Sequence, residues 1–304
     1  MYFKVIVLGS NSAIPTLERN PSAYLVNHRE RLFLVDCAEG TQVQLRKTRL
    51  RIQRIRHIFI SHLHGDHFFG LIGLITTLHL LGRKEELHIY AHADLEAILN
   101  RQLEVSDTRL VYPLVFHPIP PDTHAVLCED DKLSVEAFPM NHRIHTSGFV
   151  FREKPNKRRI RQEMIRDLNI PWSELKKLKE GHDYTDPHGR IYGNEELTLP
   201  PHPSLSFAYC SDTLYDESIV PYIRGVDLLI HEATFANDLV SMAREKYHST
   251  AEEAATIALK ADARKLLITH FSSRYDSPYI LLEEAKKVFP NTLLAEDGKE
   301  IEVG

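Results

Sequence analysis

Cysteine is scarce in this 304-residue chain, and none of its three cysteines form a CxxC pair. Cys37, Cys128 and Cys210 leave one over from any disulfide, which argues against a disulfide-stapled secreted scaffold and for a reducing compartment, the cytoplasm. Long hydrophobic runs are absent too. The longest, Phe68 to Leu81, is interrupted by Thr76, Thr77 and His79 and falls short of the ~20 residues a membrane helix needs. The apolar run near the start, Val5 to Leu8, is shorter than the ~7–15 residues of a signal-peptide core, so no export signal is expected. Nor does one sign of charge dominate. Lys and Arg number 37 against 42 Asp and Glu, a net charge of −5, so no global basic field attracts nucleic acid and any polyanion must be met locally. With 43% hydrophobic and 26% charged residues the composition is globular, which excludes disorder and fibrous repeats.

What is present is an alternation of short β-rich runs with helical patterns, the signature of an α/β architecture. Strands are predicted at Lys4 to Leu8, Leu32 to Val35, His57 to Ile60, Leu87 to Tyr90 and Leu133 to Phe138. Further strands are predicted at Gly148 to Phe151, Ser206 to Tyr209, Asp227 to Ile230 and Lys265 to Thr269. The clearest helix starts at the capping signal Ser249-Thr250-Ala251-Glu252, and another at Ser277-Pro278, where proline suits a first turn. Residues 152–203 break the alternation. They are polar, hold Pro155, Pro171, Pro187, Pro200, Pro201 and Pro203, and read as an inserted arm. Arg152 to Arg166 carries seven basic residues against two acidic ones.

Chemistry concentrates in His62-Leu63-His64-Gly65-Asp66-His67, four metal-ligating side chains within six residues directly after a predicted strand. Imidazole and carboxylate together suit Zn²⁺ and similar divalent ions, and Gly65 permits a tight turn among them. Three more candidates, His142, Asp212 and His270, each follow a predicted strand. Ligands in open α/β sheets gather beyond the carboxyl ends of strands, so all seven are expected to meet at one edge. Seven exceed the needs of one tetrahedral ion. A consistent division gives His62, His64 and His142 to one metal, Asp66, His67 and His270 to a second, and Asp212 to both. Paired metals of this kind imply hydrolysis, with phosphoryl oxygens among the natural targets.

The HxHxDH motif is the signature of the metallo-β-lactamase fold, and the chain as a whole resembles the ribonuclease Z family of tRNA 3′-processing endonucleases. The resemblance rests on Asn20 after Pro15 and Arg19, Asp36-Cys37-Ala38-Glu39-Gly40-Thr41-Gln42 and His62 to His67. It extends to Ser211-Asp212-Thr213, His231-Glu232-Ala233-Thr234-Phe235, His248-Ser249-Thr250 and Thr269-His270. It implies one αββα four-layer sandwich over residues 1–304 with a flexible arm inserted at 152–203. It also implies a homodimer, two zinc ions per subunit with Mn²⁺ an alternative, and removal of the 3′ trailer from precursor tRNA. The tRNA would keep a 3′ hydroxyl and the trailer a 5′ phosphate. Asp66 would be both ligand and proton acceptor, and His248, oriented by Glu232, would protonate the leaving oxygen. Arg19 and the arm residues Lys157, Arg158, Arg159 and Arg161 would neutralise RNA phosphates. His145, three residues beyond His142, is read as polar surface.

Three departures from the family pattern stand out. The arm reads Ile170-Pro171-Trp172-Ser173-Glu174 in place of a Gly-Pro stretch, Leu17 stands where lysine is usual, and Ser211 replaces glycine before Asp212. Two other functions compete: a small-molecule phosphodiesterase or ester hydrolase using the same centre, and an RNA-binding protein whose metal is structural. A structural zinc closes its coordination and has no use for a spare acid or base, which argues against the second.

Overall fold

The computed structural model describes residues 3–304. They divide into two compact units, one running to Cys128 and including Val135–Phe151 and Leu205–Gly304, the other combining Glu129–Ser134 with Arg152–Ser204.

The first nine strands are β1 (Phe3–Gly9), β2 (Ala23–His28), β3 (Arg31–Val35), β4 (Ile55–Phe59), β5 (Leu87–Ala91), β6 (Leu114–Pro118), β7 (Ala125–Glu129), β8 (Leu133–Met140) and β9 (Thr146–Glu153). Four two-residue strands follow in the second unit: β10 (Arg159–Ile160), β11 (Tyr184–Thr185), β12 (Ile191–Tyr192) and β13 (Thr198–Leu199). The last five are β14 (Ser206–Cys210), β15 (Leu228–Glu232), β16 (Leu266–Thr269), β17 (Thr292–Leu294) and β18 (Glu300–Glu302). Two seven-stranded sheets result, in the orders β18-β1-β2-β3-β4-β5-β6 and β17-β16-β15-β14-β9-β8-β7. Strands β3 to β6 run parallel, as do β14 to β17.

Alternation along each strand assigns its two faces. One face of the first sheet, with Ile6, Leu8, Leu25, Leu34, Ile58 and Ile89, packs in a core with helical Leu45, Leu71, Leu74, Ile75, Leu95 and Leu99. The opposite face meets the second sheet through aromatic pairs: Phe59 with Phe149 and Phe151, Phe3 with Phe207, and Tyr24 with Tyr209. Beyond the second sheet, the Ala251–Lys260 helix buries Ala254, Ala255, Ile257 and Ala258, and the Tyr279–Val288 helix buries Leu281 and Ala285. The architecture is the αββα sandwich. Thr250 caps the Ala251–Lys260 helix in a reciprocal box with Glu253, while Pro278 sits one position before the first helical residue.

The second unit is more than a polar loop. Helices Gln162–Asp167 and Trp172–Lys179 contribute to a small core of Ile170, Leu178, Tyr184 and Leu197. Asn194 ties it together, its Nδ2 donating to the carbonyls of Leu178 at 2.8 Å and His182 at 2.7 Å. Among the described residues no helix is long and apolar enough to cross a membrane.

Candidate metal centre

Parallel strands deliver their carboxyl ends to one edge, and the sequence-predicted ligands arrive there. His62 follows β4, His142 follows β8, Asp212 follows β14 and His270 follows β16, while His64 caps the short Gly65–Phe68 helix that carries Asp66 and His67. Ligand atoms of His62, His64, His142 and Asp212 lie within 4.8 Å of one another, as do those of Asp66, His67 and His270. Asp212 stands between the sets. Its Oδ2 is 3.6 Å from His62 Nε2 and 3.9 Å from His142 Nε2, and its Oδ1 is 3.4 Å from His67 Nε2 and 3.2 Å from His270 Nε2. His145 lies outside both sets, edge-on to His92 with ring centroids 5.2 Å apart.

The protons of four imidazoles are fixed on the nitrogens that point away. His67 Nδ1 donates to Asp36 Oδ2 at 2.7 Å, and His142 Nδ1 to the Tyr247 carbonyl at 2.8 Å. Thr234 gives its one proton to Glu232 Oε2 at 2.7 Å, so it accepts from His270 Nδ1 at 2.9 Å. Ser61 Oγ gives its proton to Asp36, so it accepts from His62 Nδ1 at 3.1 Å. A neutral imidazole carries one proton, so each inward nitrogen presents a lone pair. His62 Nε2 then faces His64 Nδ1 at 3.0 Å, and His142 Nε2 faces it at 3.3 Å. A single proton on His64 Nδ1 could serve only one of these two nitrogens well, whereas a cation among the three would satisfy them all. Buried His67 Nε2, His270 Nε2 and Asp212 Oδ1 have no hydrogen-bond partner, although buried polar groups rarely go without one. The residues therefore fit a divalent metal.

The field points the same way. Burial pulls the His67 pKa down, but Asp212 and Asp36 prevail and hold it well above its ordinary value, so its inward nitrogen attracts either a second proton or a metal cation in its place. Burial raises the Asp66 and Asp212 carboxyls, yet neighbouring histidines, His270 foremost in each case, hold both well below the usual carboxylate range.

Glu232 and His248 stand beside this cluster. Glu232 is 1% exposed and accepts from the amides of Thr213, Thr234 and Ser249. Its Oε1 also takes His248 Nδ1 at 2.9 Å. Burial alone would lower the His248 pKa, but the Glu232 and Asp212 carboxylates push it up to about 9.

Several residues escape motif reading. Asp36 receives Ser61 N, Ser61 Oγ, His67 Nδ1 and the Tyr209 hydroxyl. Its place at the end of β3, opening the Asp36-Cys37-Ala38 run, was the available signal. Ser211 donates to Ser61 Oγ at 2.9 Å, so the replacement for glycine joins the network that orients His62. The Ala13 amide donates to Asp66 Oδ2 at 2.8 Å, a contact with no sequence signal at all. Ala13, Asp36, Tyr247 and His270 all have left-handed backbone, with φ between 50° and 61°. Such strain costs of order 1–3 kcal/mol per residue and collects at functional sites.

The basic candidates separate. Arg19 lies over the Phe271 ring, 5.3 Å from its centroid, next in sequence to the candidate ligand His270. In the second unit, Lys157 pairs with Glu180 at 2.9 Å, Arg158 Nε donates to Thr198 Oγ1 at 2.7 Å and Arg159 Nε to the Pro200 carbonyl at 2.9 Å. Buried Arg161 Nε has no partner. Lys157, Arg158 and Arg159 thus hold their own unit together, whereas Trp172 is 89% exposed.

Comparison with known proteins gives this geometry a family. Residues 197–271 match the beta-lactamase superfamily domain, and residues 3–157 match the family described as anti-Pycsar protein Apyc1. Ribonuclease Z of Phocaeicola vulgatus is 47% identical over 99% of this chain and 97% of its own length. Ribonuclease Z of Bacteroides fragilis is 47% identical over 97% of each. The chain belongs to the ribonuclease Z family. Among solved structures, human tRNase Z, short form, superposes on this family member with a TM-score of 0.72 at 29% identity, covering 99% of both chains. The metallo-beta-lactamase fold protein YhfI from Bacillus subtilis, with a TM-score of 0.68 and 22% identity over 99% of this chain and 98% of its own, shares the fold.

Proposed function

We propose that the protein is a zinc-dependent endoribonuclease that removes the 3′ trailer from precursor tRNA. The observation that carries this reading is one strand edge holding seven ligands beside a buried Glu232–His248 pair, in a chain of the ribonuclease Z family. His62, His64 and His142 would hold one ion, Asp66, His67 and His270 the other, and Asp212 both, with zinc favoured by the imidazole-rich donors. When bound, the ions would supply Lewis-acid polarisation of the phosphodiester and ease deprotonation of the attacking water.

The remaining chemistry falls to the chain. Asp66 takes the proton of the attacking water on Oδ1, while the Ala13 amide fixes Oδ2. His248, held through Nδ1 by Glu232, directs Nε2 at the leaving oxygen and protonates it. A bond forms between water oxygen and phosphorus, and the bond from phosphorus to the 3′ oxygen breaks. The tRNA ends in a 3′ hydroxyl and the trailer begins with a 5′ phosphate.

Residues 152–203 act as a tRNA-contacting arm on one metallo-β-lactamase-fold domain, reading the shape of the folded RNA. Lys157, Arg158, Arg159 and Arg161 contribute charge there, and Arg19 does so near the metals. The enzyme works as a homodimer in the cytoplasm, a location that three cysteines without a CxxC pair suit.

The test is incubation of metal-analysed protein with a 3′-extended precursor tRNA and, separately, a small phosphodiester, with RNA ends mapped. A single cut that vanishes in Asp212→Ala is expected. Diester turnover without RNA cutting would transfer the assignment to a small-molecule hydrolase, and RNA binding without any turnover to a binding protein.

A further inference from the structure

Tyr247 ends the Val240–Lys246 helix with φ 60° and ψ 47°. Glycine or asparagine takes that left-handed position at little steric cost, whereas a bulky aromatic there is an outlier. The carbonyl of Tyr247 accepts from His142 Nδ1, but any residue would supply a carbonyl, so that bond leaves the ring unexplained. Burial leaves it unexplained as well, since the residue is 37% exposed. The ring stands edge-on to the His142 imidazole, with centroids 6.4 Å apart and planes at 85°, and Tyr247 immediately precedes His248. A strained position that glycine would relax thus places an exposed aromatic at the mouth of the centre.

The geometry points to the Tyr247 ring as a stacking platform for the base of the nucleotide whose 3′ oxygen leaves, making it a substrate-positioning residue that favours a nucleotide over a phosphodiester without a base. This rests on the function proposed above, because His248 can protonate that oxygen only when the nucleotide bearing it lies alongside. Unpaired bases splay onto aromatic side chains in this way, and the contact tolerates any base because every base has a π-face.

The experiment compares the wild-type holoenzyme with Tyr247→Gly and Tyr247→Phe. Substrates are a precursor tRNA and the same RNA made abasic at the nucleotide 5′ to the cut. Tyr247→Gly is expected to raise KM about tenfold, with kcat within twofold, metal content unchanged and melting temperature equal or higher. Tyr247→Phe keeps wild-type values. The abasic RNA costs the wild type the same factor and Tyr247→Gly nothing more, because both changes remove one contact. Fluorescence anisotropy with mature-length tRNA, with and without its terminal base, should show the same pattern in Kd without turnover. An unchanged KM in Tyr247→Gly, loss of metal in that variant, or multiplying penalties would overturn the platform while leaving the ribonuclease reading intact. A wild-type enzyme that cuts no precursor tRNA would sink both.

Discussion

Asp36 Oδ2 accepts the Nδ1 proton of His67 at 2.7 Å, and the opposite nitrogen of that ring faces Asp212 Oδ1 at 3.4 Å. One buried carboxylate thereby sets the tautomer of a ligand and, through Ser61, bears on His62 as well. Asp36→Asn keeps the shape but turns one acceptor into a donor, facing groups that already donate. Changes of this kind typically cost 10- to 100-fold in metal affinity. Competition with a chromophoric chelator should show that loss, and affinity equal to wild type would remove Asp36 from the site.

Metal removal should destabilise the whole fold, because candidate ligands follow four strand ends. A ligand that binds only the folded state adds RT ln(1 + [L]/Kd), about 4 kcal/mol at a thousandfold excess over Kd. Treatment with EDTA should lower the melting temperature by several degrees, and restoring two equivalents of Zn²⁺ should recover it. A melting curve indifferent to both treatments would contradict a tightly held pair of ions.

The α/β architecture was legible because its central strands carry strong apolar patterns, and β4, β8, β14 and β16 all lie where those patterns place them, whereas the sandwich was implied only by the family resemblance. Strands β2, β6, β7, β17 and β18 were missed. In β2, the run Ala23–His28 is buried at every position, including Asn27 and His28, so it shows no alternation. β17 and β18 are three residues long, too short for a period. Of the site, the seven clustered candidate residues were readable from residue type and position after strands. The contacts of Ala13 and Tyr247 are made by backbone atoms of residues whose side chains announce nothing. In the arm, arginines that read as an exposed charge run are engaged with neighbours in their own unit.

His57 provides a pH test away from the metals. Burial first, then the neighbouring His88 and His117 and the charges of Arg56 and Arg31, lower its pKa to about 4. The folded state therefore keeps His57 neutral while the unfolded chain protonates it near pH 6.5. Below pH 6.5 the unfolded state binds more protons, so stability falls as pH drops toward 4, where the folded state begins to protonate as well. His57→Phe, which preserves the stack on Phe33 and Tyr90, should flatten that slope relative to the parent in denaturant titrations. An identical slope would show that His57 does not contribute.

Gly70 follows the short helix bearing Asp66 and His67, and a Cβ there would lie 2.0 Å from the Ala38 carbonyl oxygen. Its own amide donates to the Cys37 carbonyl at 2.9 Å, so helix and turn are in backbone contact. Backbone cannot rotate away as a side chain can. Gly70→Ala should cost about 1–3 kcal/mol, as overpacking does, and should weaken metal binding by displacing His67. Chemical denaturation and metal titration of the same sample check both, and wild-type stability would mean the turn gives way freely.

A variant of His248 tests proton delivery separately from metal holding. Its Nδ1 is committed to Glu232, which receives five hydrogen bonds in all from His248, Thr213, Thr234 and Ser249. With that side fixed, Nε2 is the atom available to a leaving oxygen. His248→Ala should lower kcat on precursor tRNA by roughly 10²- to 10⁴-fold, the usual contribution of a positioned acid. Both metal equivalents should remain, because the seven candidate ligands divide into two sets without His248 and its Nδ1 is committed to Glu232, even though its ring also lies within 4.8 Å of ligand atoms of Asp212 and His270. A substrate whose bridging 3′ oxygen is replaced by sulfur leaves as a thiolate and needs little protonation. On that substrate the variant should recover most of the wild-type rate. Equal losses on both substrates, with metal content intact, would assign His248 to phosphate binding in place of proton transfer, while loss of an ion would make it a ligand after all.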